Sequence, residues 1–164
     1  MTKRLIKPKY TCFIYGEGKR DKNFLITLFN LKKFQHHSSN WIFQYDSAWG
    51  GSAKNILEKC QKESSSFSFD LILCFIDLDK LKEDFPKTWK KEKNTLEEKY
   101  PKIKIIWQIN NAEDEYKKVL GNIKSKKRIN NEAQKQIEKF INSDFWSRIL
   151  KAIKDKEKEL KKTN

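Results

Sequence analysis

Six apolar residues without a polar interruption, Leu71-Ile72-Leu73-Cys74-Phe75-Ile76, end abruptly in Asp77-Leu78-Asp79. A strand that lacks alternation is covered on both faces, so this run predicts the middle of a parallel sheet sheltered by helices. A shorter apolar run, residues 11–15, stops at Gly16-Glu17-Gly18. From Asp21 the period changes: Phe24, Leu25, Leu28, Phe29 and Leu31 recur at helical spacing, with Asp21 as the expected N-cap. Residues 41–45 read as a second strand, and Ala53, Ile56, Leu57 and Cys60 as one face of a helix capped by Ser52. Gly50-Gly51-Ser52 before that helix makes a turn, or less commonly a phosphate cradle on free N–H groups.

The third strand is expected over residues 69–76. A third helix follows, with Pro86 near its first turn, Phe85, Trp89, Leu96 and Tyr100 as its buried positions, and Pro101 closing it. Residues 103–109 predict a fourth strand, and 112–120 a helix capped by Asn110 or Asn111 and stopped by Gly121. After a basic break at 124–128 the strands cease. Ala133, Ile137, Phe140 and Ile141, then Phe145, Trp146, Ile149, Leu150 and Ile153, mark two further helical faces, the second starting at Ser143 or Asp144. Residues beyond Lys156 carry few apolar groups and are expected to fray.

Strands alternating with helices predict an α/β fold: a Rossmann-like sheet of about four mostly parallel strands flanked by helices, with a C-terminal helical extension. Residues 1–121 form the α/β domain, and 122–164 a basic linker and helices packed on it or offering an apolar face for a homodimer or partner protein. A length of 164 residues suits one core.

Charge narrows the partners. A net charge of +14 favours a polyanion such as nucleic acid, although many lysines neighbour glutamates on solvated helical faces. Cys12, Cys60 and Cys74 sit inside apolar patterns with no CxxC, as reduced core thiols do. With no membrane-length apolar run and no signal peptide after the basic first residues, a cytoplasmic location is expected. His36 and His37 alone would have to build any histidine-based zinc site or catalytic triad.

Acidic residues carry the candidate chemistry. Glu17 follows the first strand and Asp77 and Asp79 the third, and in a parallel sheet those ends share an edge. Two apart in an extended segment, Asp77 and Asp79 would project to the same side. Three such carboxylates suit Mg²⁺ or Mn²⁺, which take oxygen ligands and act on phosphodiesters.

These stretches resemble the Toprim family. Phe13-Ile14-Tyr15-Gly16-Glu17-Gly18-Lys19-Arg20-Asp21 looks like its first motif, and Phe75-Ile76-Asp77-Leu78-Asp79 like its strand-terminal DxD. Topoisomerases, primases, small ribosomal RNA maturases and the OLD-type and RloB-like nucleases share this domain, and the likeness covers about residues 10–121. It implies Glu17 as acid/base residue or metal ligand, Asp77 and Asp79 as ligands of the ion, and Asp21 as a supporting residue. Lys80-Leu81-Lys82 replaces the further acid and glycine common in the family, which leaves Glu83, Asp84, Glu113 or Asp114 as substitutes, Glu113 foremost. Asp21 and Glu113 equally suit plain helix N-terminal roles. Lys19, Arg20 and Lys80 are phosphate contacts or solvated charges.

No run near residue 16 matches the DxDGT of haloacid-dehalogenase-like phosphatases, and Gly16-Glu17-Gly18-Lys19 lacks the spacing and Ser/Thr of a P-loop. The expected function is therefore Mg²⁺-dependent hydrolysis of DNA or RNA. The alternative is a catalytically weak module of the same fold that binds nucleic acid or a partner protein.

Overall fold

The computed structural model describes residues 10–30, 41–108, 111–121 and 125–162. Leu31, His36, His37, Ile109, Asn110 and Lys124 lie outside them. Four strands, β1 (Tyr10–Gly16), β2 (Trp41–Ser47), β3 (Leu71–Asp77) and β4 (Ile103–Gln108), form one sheet in the order β2-β1-β3-β4, every pair parallel. The helices are α1 (Lys19–Phe29), α2 (Ala53–Ser64), α3 (Leu78–Asp84), α4 (Trp89–Lys99), α5 (Ala112–Leu120), α6 (Lys126–Lys135) and α7 (Asp144–Lys162), with a 3₁₀ turn at Ile137–Asn142 before the last.

The unalternating run is buried on both sides, as its pattern requires. Leu71, Leu73 and Phe75 face one core with Cys12 and Ile14 of β1, and Ile72, Cys74 and Ile76 face the other with Phe13 and Tyr15. The first core receives Phe24, Leu25, Leu28 and Phe29 of α1, Tyr116 of α5, and Ile129, Ala133, Phe140, Phe145, Trp146 and Ile149 from the C-terminal helices. Phe24 sits among Tyr116, Phe140 and Phe145 at ring-centroid distances of 4.5, 5.0 and 6.4 Å. The apolar faces of the C-terminal helices are thus buried against the sheet. The second core takes Ile56, Leu57 and Cys60 of α2, Leu78 and Leu81 of α3, and Leu96. All three cysteines are buried free thiols.

Several sequence expectations change. α1 begins before Asp21: Gly18 is the N-cap, and the Asp21 carboxylate reaches back to accept the Gly18 N–H at 3.2 Å. The expected third helix is two. α3 starts at Leu78 because Leu78 and Leu81, three apart, bury together, and the chain breaks at Phe85-Pro86 before α4. Phe85, expected inside, is 40% exposed, while Leu96 and Tyr100 are buried. Ser52 and Asn111 cap α2 and α5, accepting the N–H groups of Asn55 and Asp114. The basic stretch after 124 is helix rather than break, because Ser125 caps α6 by accepting the Arg128 N–H at 3.3 Å. α7 continues to Lys162 instead of fraying, tied by a 2.6 Å hydrogen bond from Trp41 Nε1 to Glu157 and by Leu160 against the core.

Candidate functional site

Parallel pairing sends every strand's carboxyl end to one edge, and the order puts β1 directly beside β3. Glu17 and Asp77, 60 residues apart, therefore meet: the Asp77 N–H donates to Glu17 Oε2 at 3.3 Å. Gly16 allows the approach of α1, since a Cβ there would come within 3.2 Å of the Lys22 nitrogen and 3.3 Å of Asp21 Cβ. A cavity of about 550 Å³, lined by Phe67, Phe69, Tyr100 and Ile103, lies at the opposite edge of the sheet, away from every acidic candidate.

Asp77 is the most perturbed acid at this edge. Its Oδ1 accepts the Ala112 N–H at the start of α5, at 3.1 Å. Burial first, then the charges of Glu17 and Asp21, a hydrogen bond with Glu17 and the charge of Glu113, lift its carboxyl from 3.8 to about 8. Three acids, from the turn after β1, from α1 and from α5, thus act on Asp77 at the end of β3. Tyr116, fully buried beneath them, has its phenol pushed up by burial and by the nearby Asp21, Glu113 and Asp77 charges.

Asp79 is placed by a helix rather than a strand. Because β3 ends at Asp77 and α3 begins at Leu78, the two aspartates are not spaced along one extended segment, yet both meet the start of α5, Asp77 at the Ala112 N–H and Asp79 at Asn111. Asp79 lies in the first turn of α3, where its Oδ2 accepts Asn111 Nδ2 at 3.0 Å. Among the substitutes for the missing acid, Glu113 is felt by Asp77, and its Oε1 accepts from Asn130 Nδ2 at 3.3 Å. Glu83 and Asp84 are exposed at the far end of α3. Of the candidate phosphate contacts, Lys19 and Arg20 are exposed, whereas Lys80 Nζ stands 3.4 Å from Glu17 Oε1. Among the described residues, no three His, Cys, Asp or Glu side chains already enclose a metal position.

The glycine turn is also placed. Gly50 and Gly51 have φ of 81° and 114°, and the Gly50 N–H donates to Glu17 O at 3.0 Å. With Ser52 used as a cap, the segment is a turn strapped to the acidic edge.

Asn111, Asn130 and the Ala112 N–H escaped the sequence reading. Asn111 appeared there as a cap, and a cap that also holds an acid 32 residues away has no separate local signal. Asn130 left a faint one, a polar residue at a helical position that proves 8% exposed. No known protein family, curated protein or solved structure matches the chain.

Proposed function

We propose that the chain is a Toprim-type, Mg²⁺- or Mn²⁺-dependent nuclease that hydrolyses nucleic-acid phosphodiesters with Glu17 and Asp77, supported by Asp79, Asp21 and Glu113. The observation that carries this reading is the Glu17–Asp77 contact at the carboxyl edge, with two further acids raising Asp77. So much negative charge around a part-buried carboxyl opposes its ionisation, and a cation relieves that opposition. The donor set is oxygen alone, as a hard divalent ion prefers. Glu17 and Asp77 would hold the ion, with Asp79 completing the set once Asn111 releases it. Bound there, it offsets charge on the phosphodiester.

The chain's own groups do the rest. Glu17 accepts a proton from the attacking water at its carboxylate while the water oxygen bonds to phosphorus, and the leaving sugar oxygen takes a proton from solvent water as its bond to phosphorus breaks. The Asp77 N–H and Lys80 fix the direction of that carboxylate. Lys80, 41% exposed, is also placed to meet a phosphate oxygen. The test is cleavage of labelled single- and double-stranded DNA and RNA in Mg²⁺, Mn²⁺ or EDTA, by wild type and Asp77→Ala. Metal-dependent cleavage lost in Asp77→Ala is expected; cleavage surviving both EDTA and the substitution overturns the reading.

One observation favours the second reading, a nucleic-acid-binding module of weak or no activity: Lys80 neutralises Glu17 and Asn111 holds Asp79, so two of the three acids have partners without an ion. Salt-sensitive binding with no cleavage in any metal is its signature.

A further inference from the structure

Trp49 is 98% exposed, whereas Trp41, Trp107 and Trp146 are buried and Trp89 is partly covered. A single exposed aromatic is ordinary. Its anchoring is not. The residues on either side of Trp49 are hydrogen-bonded to the acidic turn, Ala48 N–H to Gly16 O and Gly50 N–H to Glu17 O, both at 3.0 Å. Ala48 is 3% exposed, so the backbone is pinned from below, and the positive φ of Gly50 returns the chain to α2. The indole is presented on a fixed loop one residue from contacts to Glu17.

Beside it opens a cavity of about 410 Å³ lined by Tyr15, Ser47, Trp49, Lys59, Lys62 and Glu63. Lys59 and Lys62 are exposed on α2. At its rim, partial burial and then Asp46, which is hydrogen-bonded to the exposed Glu63, raise the Glu63 carboxyl. The Tyr15 hydroxyl, buried without a hydrogen bond of regular geometry, lies near enough to Glu63 to favour its ionised form. The Glu63–Asp46 pair beside the cavity repels a phosphate there, yet a carboxyl pair offers both donor and acceptor to a base edge. The lysines suit a phosphate backbone passing at the rim.

We infer that Trp49 is the stacking platform for an unpaired nucleobase seated beside the Glu17–Asp77 site, which makes the substrate class single-stranded nucleic acid; this rests on the nuclease reading above. Base faces inside a duplex are covered by their neighbours, so the indole discriminates by strandedness and tolerates any base. The net charge of +14 and the lysine rim favour this occupant over a protein segment.

The test is fluorescence anisotropy in EDTA with labelled oligo(dT), oligo(U) and a DNA duplex, each about 12 nucleotides long to span one strand-binding site. Wild type, Trp49→Ala and Trp49→Phe are compared, with melting curves as the folding control, since so exposed a side chain can be replaced without loss of fold. The expected result is that Trp49→Ala weakens single-strand binding about tenfold, the loss of one stacked base, that Trp49→Phe loses less, and that duplex binding is unchanged. Equal affinity of wild type and Trp49→Ala for single strands overturns the inference. So does an equal loss on duplex, or no binding of any oligonucleotide, including the case where Trp49 binds only a protein. The two readings fail separately. Trp49-dependent strand binding without cleavage when Mg²⁺ is added removes the nuclease and keeps the platform. Mg²⁺-dependent cleavage with an unchanged KM in Trp49→Ala does the reverse.

Discussion

Asp77 accepts the Ala112 N–H while Glu17, Asp21 and Glu113 act on it, and the folded chain therefore keeps a proton on it up to a pH of about 8. In the unfolded chain the same carboxyl ionises near 3.8. Between those values the folded state binds more protons than the unfolded one, so this residue's contribution to stability, intact below the lower value, declines as pH rises and is gone above the upper. Asparagine is neutral at every pH. Calorimetry in EDTA should show the melting temperature of wild type falling more steeply from pH 5 to 8 than that of Asp77→Asn, with the variant at least as stable at pH 8. A parallel pair of curves refutes the shift. Lys80 gives a second prediction at this scale. Its ammonium competes with any cation for Glu17, and with the lysine 41% but the glutamate only 13% exposed the pair is partly screened, so Lys80→Gln should lower the half-saturating Mg²⁺ concentration about fivefold, or about 1 kcal/mol. Mg²⁺ titration against cleavage checks it; a rise would assign Lys80 to the phosphate.

At the scale of elements, the start of α5 has two duties. Asn111 caps the helix by accepting the Asp114 N–H at 2.8 Å and donates to Asp79 from the same side chain. Serine caps about as well as asparagine but is too short to reach a neighbouring helix. Asn111→Ala should cost about 1 kcal/mol in urea unfolding, and Asn111→Ser should recover most of that. Both free Asp79 for the ion and should lower the Mg²⁺ concentration that half-saturates cleavage. If that concentration is unchanged in both variants, the contact to Asp79 has no part in the activity. α3 shows how local burial overrides a motif's simplest geometry. Leu78 turns inward and starts the helix, and Asp79 takes a place in its first turn, against Asn111, rather than the second position along a strand.

Across the whole molecule, one face of the sheet depends on helices formed more than 50 residues after β3 begins. Phe145 is 1% exposed and touches Phe24 of α1 and Phe75 of β3. Phe145→Ala should destabilise by about 3–5 kcal/mol, measured by urea unfolding, since it empties the junction of sheet, first helix and last helix. A loss under about 1 kcal/mol would mean that α7 is an accessory and not part of the core. Among the described residues, no helix is long and apolar enough to cross a membrane.

Sequence alone settled what depends on neighbours in the chain. The unbroken run at 71–76 predicted a strand covered on both faces, the helical faces at Phe24 to Phe29 and Ala53 to Cys60 were set by period, and Ser52 was a readable cap, as was Asn110 or Asn111, of which Asn111 caps the helix. The placement of Glu17 and Asp77 at strand ends followed from the same runs. Only the tertiary structure decided which acids meet. The strand order set β1 beside β3 and joined Glu17 to Asp77, the docking of α5 brought in Glu113, and the burial of Leu78 put Asp79 on a helix, in contact with Asn111. Nor did apolar periodicity mark Trp49, whose significance comes from two hydrogen bonds that hold its loop to another strand's turn. Period reports which face of an element is apolar; pairing and packing between distant segments decide what that face, and the charges at its ends, will touch.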